Sequence, residues 1–156
     1  MTKKIKIMTA VDLSDYSAVI VRYSVWLTMR LDADLVLVNV INQRDLDMVQ
    51  RTMSGYEAFS YPKYLTEQVQ NRETKMKEII EAAYPDMVDC SYLVQTGIPY
   101  RELLAAIESE KPGMMVVGTK GRSNLADVVV GSTARKLYRR SPIPLLTIPA
   151  GFSDLP

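Results

Sequence analysis

Apolar residues recur along the 156-residue chain with two different periods, which predict strands and helices in regular succession. Continuous apolar runs and two-residue alternation both predict strands. The predicted strands are 3–11, 34–41, 88–95, 114–118 and 143–148. The runs 34–41 and 114–118 are almost wholly apolar, which is typical of parallel strands that are covered on both faces.

Between the strands, apolar residues recur at three- and four-residue intervals, the period of a helix that packs on one face. This spacing predicts helices over 15–31 and 63–84. A third helix should begin at Pro99, because proline is favoured in a first turn. A fourth should begin near Ser132 and end before Pro142, which cannot continue a helix.

Strands and helices therefore alternate through one domain, residues 1–156, whose length suits a single core. Right-handed crossovers predict an α/β, Rossmann-like fold: an open five-stranded parallel sheet, order 3-2-1-4-5, with helices on both faces. The stretch 42–62 lacks a clear period and is predicted to be a long irregular loop, with room for one short helix.

Composition excludes several classes of function. Lys plus Arg is 19 and Asp plus Glu is 18, so the chain is almost neutral. It lacks the net positive charge that would indicate binding to nucleic acid or to a membrane surface. No apolar run approaches the ~18 residues of a membrane span. Cys90 is the single cysteine, which excludes an intrachain disulfide and fits a cytoplasmic location. The chain has no histidine, which excludes Ser-His-Asp and Cys-His nucleophile systems and the usual zinc sites.

Glycines mark the end of the fourth predicted strand and the start of the last helix. Gly118 and Gly121 are followed, after nine residues, by Gly131, Ser132 and Thr133. Glycine lets backbone N–H groups approach a phosphate, and the first turn of a helix adds hydroxyls, free N–H groups and a favourable dipole. This spacing is neither a Walker A loop nor a GxGxxG fingerprint. It predicts a phosphate-binding cradle in two halves.

Asp12 should face the same crevice. Asp12 follows the first strand and Gly118 ends the fourth, and these strands are neighbours where the predicted order reverses. Ligands bind at such switch points, outside the carboxyl ends of the strands. Asp12 could equally cap the first helix, as could Ser14.

The chain resembles the universal stress proteins. The resemblance lies in "VVGTKGRSNLADVVVGSTARKL" and "SPIPLLTIP", with "AVDLSDYS" near the start, "LVLVNVI" in the second strand and "TGIPYRELL" at the third strand-to-helix turn. The Gly-x2-Gly-x9-Gly-Ser/Thr pattern marks the members that resemble ATP binders. Position 39, often histidine in the family, is Asn39 and is given no functional role.

The resemblance implies a role for each matched residue. Asp12 and the backbone of Val40 would hold the adenosine part, with Ala10 and Val117 lining that pocket. The residues holding the phosphates would be Gly118, Gly121, Gly131, Ser132 and Thr133. It further implies a cytoplasmic stress sensor or regulator that binds ATP with Mg²⁺ or Mn²⁺ and forms a homodimer through strand 143–148.

Other interpretations stay open at this point. The site could belong to a slow nucleotide hydrolase, although no side chain is an evident base, or to an interaction module whose site is empty. AMP or a cyclic nucleotide could replace ATP. Lys120 and Arg122 could offset triphosphate charge or lie in a solvated loop. The basic residues Arg135, Lys136, Arg139 and Arg140 complement the end of the last helix, with contact to nucleic acid or an acidic partner as the alternative.

Overall fold

The computed structural model describes residues 3–86, 89–120 and 130–154, and these ranges contain five strands and five helices. The strands are β1 (Lys6–Ala10), β2 (Asp34–Asn42), β3 (Cys90–Gly97), β4 (Met114–Gly118) and β5 (Leu145–Ile148). The helices are α1 (Ser17–Leu31), α2 (Gln43–Met53), α3 (Tyr61–Ala83), α4 (Pro99–Glu110) and α5 (Ser132–Arg140).

The five strands form one parallel sheet with the order β3-β2-β1-β4-β5, which confirms the predicted fold class and topology. β1 lies at the centre, between β2 and β4. The chain moves outward to one side after β1 and to the other side after β4. This divergence opens a crevice at the carboxyl ends of the two strands.

Two hydrophobic cores cover the two faces of the sheet. On one face Ile7 of β1 packs with Val25 of α1 and Met76 of α3. On the other face Met8 of β1 packs with Leu137 of α5. Successive residues of a strand point to opposite faces, so a strand with helices on both sides is apolar at most positions. This explains the continuous apolar runs in the sequence.

The stretch 42–62, predicted to be a long irregular loop with room for one short helix, contains such a helix. Residues 43–53 form α2, whose N-terminus is capped by Asn42, the Oδ1 atom of which accepts a hydrogen bond of 3.1 Å from the Arg44 N–H. Leu46 is the only residue of α2 that is buried. Leu46, Val49 and Met53 recur at three- and four-residue intervals, so α2 does carry a helical period, although most of its residues are polar or charged.

Three strands are shorter or shifted relative to their predicted limits. β1 begins at Lys6 rather than at residue 3, β3 begins at Cys90, and β5 begins at Leu145 rather than at 143. Pro144 offers no N–H to a ladder, which accounts for the late start of β5. In the part of the chain that the structure describes, no helix has the length and apolar character needed to span a bilayer.

Candidate functional site

A cavity of about 480 Å³ opens at the carboxyl ends of β1, β2 and β4. That volume lies within the range of small-molecule sites, about 300–1,000 Å³. The strand ends supply the floor, and all five helices contribute to the walls. The cavity therefore lies at the switch point where the topology predicts a ligand site.

Eight of the nine residues that the sequence predicts for the site line this one cavity. They are Ala10, Asp12, Val40, Val117, Gly118, Gly131, Ser132 and Thr133. The ninth, Gly121, lies outside the described residues. The structure thus brings together residues of three strand ends and one helix start that are up to 123 positions apart in the chain.

Gly118 is needed for space rather than for an unusual backbone angle. A Cβ atom at this position would lie 2.6 Å from Cδ1 of Ile20 and 3.1 Å from the carbonyl oxygen of Lys120. The chain therefore turns closely over α1 as it leaves β4. This close approach keeps the backbone at the cavity floor free of side chains.

Gly131 joins the two halves of the predicted cradle. Its N–H donates a hydrogen bond of 2.6 Å to the carbonyl oxygen of Thr119, one residue past the end of β4. The resemblance implies that Gly131 helps to hold the phosphates, but its N–H group is already bonded within the protein. Gly131 instead anchors the start of α5 against the strand.

The N–H groups available to an anion belong to the next three residues. The first bond of α5 runs from the Arg135 N–H to the Gly131 carbonyl oxygen, at 3.0 Å. The N–H groups of Ser132, Thr133 and Ala134 precede it and have no helical acceptor. Gly131, at the cap position, provides no side-chain oxygen to them. The start of α5 thus combines N–H groups that have no helical acceptor with a positive dipole end.

Asp12 also lines the cavity, from the turn between β1 and α1. Its Oδ1 atom accepts hydrogen bonds from the Ser14 N–H, at 3.0 Å, and from the Ser17 hydroxyl, at 3.2 Å. Leu13 has a φ of 63°, a left-handed conformation that costs a leucine energy. Asp12 therefore holds a strained turn in place while its side chain borders the cavity.

Arg72 of α3 also lines the cavity, and the sequence analysis missed it. Its Nη1 atom donates a hydrogen bond of 3.0 Å to Oδ1 of Asn39, whose Nδ2 atom donates one of 2.7 Å to the carbonyl oxygen of Val11. Asn39 is fully buried. The Asn39 side chain thus fixes a guanidinium beside the Asp12 turn, a role that no local pattern could indicate.

Charges of both signs surround the cavity. Lys120 and Arg72 are cations, and Asp12 and Asp45 are carboxylates. Within the described ranges, no group of three His, Cys, Asp or Glu side chains is arranged to hold a metal ion. The arrangement suits a ligand with an anionic end, near α5, and a polar uncharged end, near β2.

Comparison with known proteins adds independent information. Residues 5–149 match the family model of the Universal stress protein family. Universal stress protein MJ0577 of Methanocaldococcus jannaschii is 21% identical over 156 residues, covering 92% of this chain and 93% of that protein. A solved structure described as protein MJ0577 superposes with a TM-score of 0.76 at 18% identity, covering 94% of this chain and 96% of the other.

Two further solved structures contain adenine nucleotides. A universal stress protein in complex with cAMP has a TM-score of 0.66 at 17% identity, and covers 96% of this chain and 100% of its own. A universal stress protein from Archaeoglobus fulgidus in complex with dAMP has a TM-score of 0.61 at 10% identity. The superposition covers 94% of this chain and 98% of the other. At these identities the likeness establishes a shared fold.

Proposed function

The chain belongs to the universal stress protein family, and we propose that it binds ATP in the cavity between β1, β2, β4 and α5 and acts as a nucleotide-dependent regulator. One observation carries the proposal: the backbone past Gly118, Asp12 and the start of α5, whose first N–H groups have no helical acceptor, all line one cavity. The nucleotides in the cAMP and dAMP complexes support an adenine ligand.

In this proposal the two ends of the cavity divide the ligand between them. The phosphates lie against the N–H groups of Ser132, Thr133 and Ala134, with Lys120 offsetting charge. The adenosine part lies toward Asp12 and the Val40 backbone, with Ala10 and Val117 beside it. A Mg²⁺ or Mn²⁺ ion bound with ATP would take its oxygen ligands from the phosphates, as Mg²⁺ commonly does.

The proposal predicts that Gly131→Asp abolishes ATP binding without unfolding the protein. A Cβ atom at Gly131 would lie 3.4 Å from the Thr119 carbonyl oxygen, a contact that a small shift relieves. Aspartate is a favoured cap residue and would bond the same N–H groups that the phosphates need. Equilibrium binding of labelled ATP to nucleotide-stripped protein should show a loss of more than about tenfold, or about 1.4 kcal/mol.

Gly55→Asp provides the matched control, because a Cβ at Gly55 meets nothing within 4 Å and Gly55 lies away from the cavity. This variant should bind ATP like the parent protein. Undiminished binding by Gly131→Asp would contradict the cradle, and a parent that binds no ATP would favour an interaction module with an empty site. Hydrolysis of several ATP molecules per second would favour a hydrolase. We expect a phosphate-release assay to give a rate far below about 1 s⁻¹.

A further inference from the structure

Three cations surround one tyrosine in the groove between α4 and α5. Tyr100, in the first turn of α4, is 8% exposed. Measured from its ring centroid, Nζ of Lys136 lies at 4.6 Å, Cζ of Arg140 at 5.1 Å and Cζ of Arg101 at 5.8 Å. All three distances are within the range of cation–π attraction. We call Tyr100, Arg101, Lys136 and Arg140 the Tyr100 patch.

The tyrosine hydroxyl orients two of these cations. It accepts hydrogen bonds from Nε of Arg101, at 3.1 Å, and from Nη1 of Arg140, at 3.3 Å. The hydrogen bond from Arg101 is the main reason that the pKa of Tyr100 lies below its usual value. Ring and hydroxyl together restrict the guanidiniums, so less side-chain entropy is lost when they bind something else.

The positive charge of the patch is not neutralised in the part of the chain that the structure describes. Ion pairs there join Lys4 to Asp32, Lys6 to Glu110 and Lys77 to Glu73. None involves a cation of the patch. Arg101, Lys136 and Arg140 are exposed, and their shared partner is an uncharged phenol. Three like charges held together at one surface position favour an anionic partner.

The shape of the patch indicates what kind of anion it fits. Lys136 and Arg140 are one helical turn apart on α5, and Arg101 faces them from α4. Such a compact cluster suits a few carboxylates, whereas nucleic-acid binding commonly relies on about 6–10 phosphate contacts along a stripe. Ile98, the extended residue that precedes α4, is 44% exposed and lies three residues before Arg101 in the chain.

We propose that the Tyr100 patch binds an acidic segment of a partner protein. Carboxylates of the segment would meet the guanidinium forks of Arg101 and Arg140 and the ammonium of Lys136, and an apolar side chain would rest on Ile98. Arginine and tyrosine are enriched where protein interfaces gain most of their free energy. The proposal does not depend on nucleotide binding, because no residue of the patch lines the cavity.

The patch nevertheless adjoins the cavity through shared helices. Tyr100 follows Pro99, and Lys136 precedes Leu137, and both Pro99 and Leu137 line the cavity wall. A partner on the patch and a ligand in the cavity would therefore contact the same two helices. This places a protein-docking surface where a regulator of the proposed kind would need one.

The test is binding of a short fluorescent peptide, glutamates flanking one leucine, to the full chain by anisotropy. The parent protein should bind it, with an affinity that falls as salt rises, and should bind a glutamine version far more weakly. Lys136→Glu/Arg140→Glu should lose at least about tenfold in affinity, since like charges then face the peptide. Lys136→Gln/Arg140→Gln should lose less affinity for the peptide. It replaces the charge-reversed variant in the test if that variant folds poorly.

Lys63→Glu/Lys75→Glu is the matched control, with the same change of net charge at exposed positions of α3. It should bind the peptide like the parent. Tyr100→Phe keeps the ring but loses the hydroxyl that orients both guanidiniums, so it should bind several-fold more weakly. Equal binding by the patch and control variants, or no binding by the parent, would overturn the proposal. If the parent protein binds a single-stranded oligonucleotide of the same charge more tightly than the peptide, the patch is a nucleic-acid site instead.

Discussion

Asp12 combines a structural and a proposed binding role in one carboxylate. Its Oδ1 atom closes the turn into α1 by accepting from Ser14 and Ser17, and its side chain borders the cavity. The sequence left open whether Asp12 caps the helix or contacts a ligand. The structure establishes the turn bonds, and the ligand contact stays a prediction.

Asp12→Ala should weaken ATP binding by about 1–3 kcal/mol, the usual cost of removing a charged hydrogen-bonding partner. Inorganic triphosphate should bind unchanged, because Asp12 lies at the adenosine end of the proposed ligand. Competition calorimetry on nucleotide-free protein measures both. Ser17→Ala separates the structural role, since it removes one turn bond but keeps the carboxylate, and it should bind ATP like the parent. Equal weakening of ATP and triphosphate would move Asp12 to the phosphate end.

At the scale of elements, two helices end on residues that strain their own backbone. The cap positions of α1 and α4 are Asp32, with φ 47°, and Lys111, with φ 51°. Glycine normally occupies this left-handed position because a Cβ costs energy there. Both residues donate their N–H to a carbonyl of the preceding helical turn, and this bonding holds the strained conformation.

Lys111→Gly should therefore raise the free energy of unfolding by about 0.5–1 kcal/mol, the relieved strain less the added flexibility of the unfolded chain. Denaturant titration of both proteins measures the difference. Lys111→Ala keeps the Cβ and the strain, so it should leave stability close to that of the parent. If alanine stabilises as much as glycine, the effect comes from removing the lysine side chain and not from the backbone.

At the scale of the whole molecule, β5 leaves one edge of the sheet open in the described chain. β5 pairs with β4 alone, and the chain then turns so that Phe152 packs on Tyr23 of α1, with ring centroids 5.6 Å apart. The Pro144 carbonyl accepts from the Met115 N–H of β4, and the Ile148 carbonyl accepts from the Thr119 N–H just past β4. Parallel strands alternate the side to which each residue bonds, so the backbone groups of Leu145 and Thr147 face outward.

We predict that two copies pair through this edge and that Thr147→Pro yields a monomer. The substitution removes an outward N–H while leaving the bonds to β4, and proline is tolerated on edge strands. Sedimentation equilibrium distinguishes the two states. Thr147 also bonds the Tyr138 hydroxyl at 2.9 Å, so Tyr138→Phe controls for that loss and should stay dimeric. A parent protein that sediments as a monomer would contradict the edge argument.

The sequence alone determined the five strands and four of the five helices, because each left a local signal. The strand order and eight residues that now line one cavity were predicted from the topology, the glycine spacing and the family resemblance together. Strand period, helix period and the glycine spacing depend on near neighbours in the chain. α2 was foreseen only as room for one short helix, because its apolar residues Leu46, Val49 and Met53 stand among polar and charged ones. The tertiary structure alone decided which distant side chains meet. Arg72 reaches Asn39 across 33 residues, and Arg140 reaches Tyr100 across 40, since only packed helices bring these polar groups together.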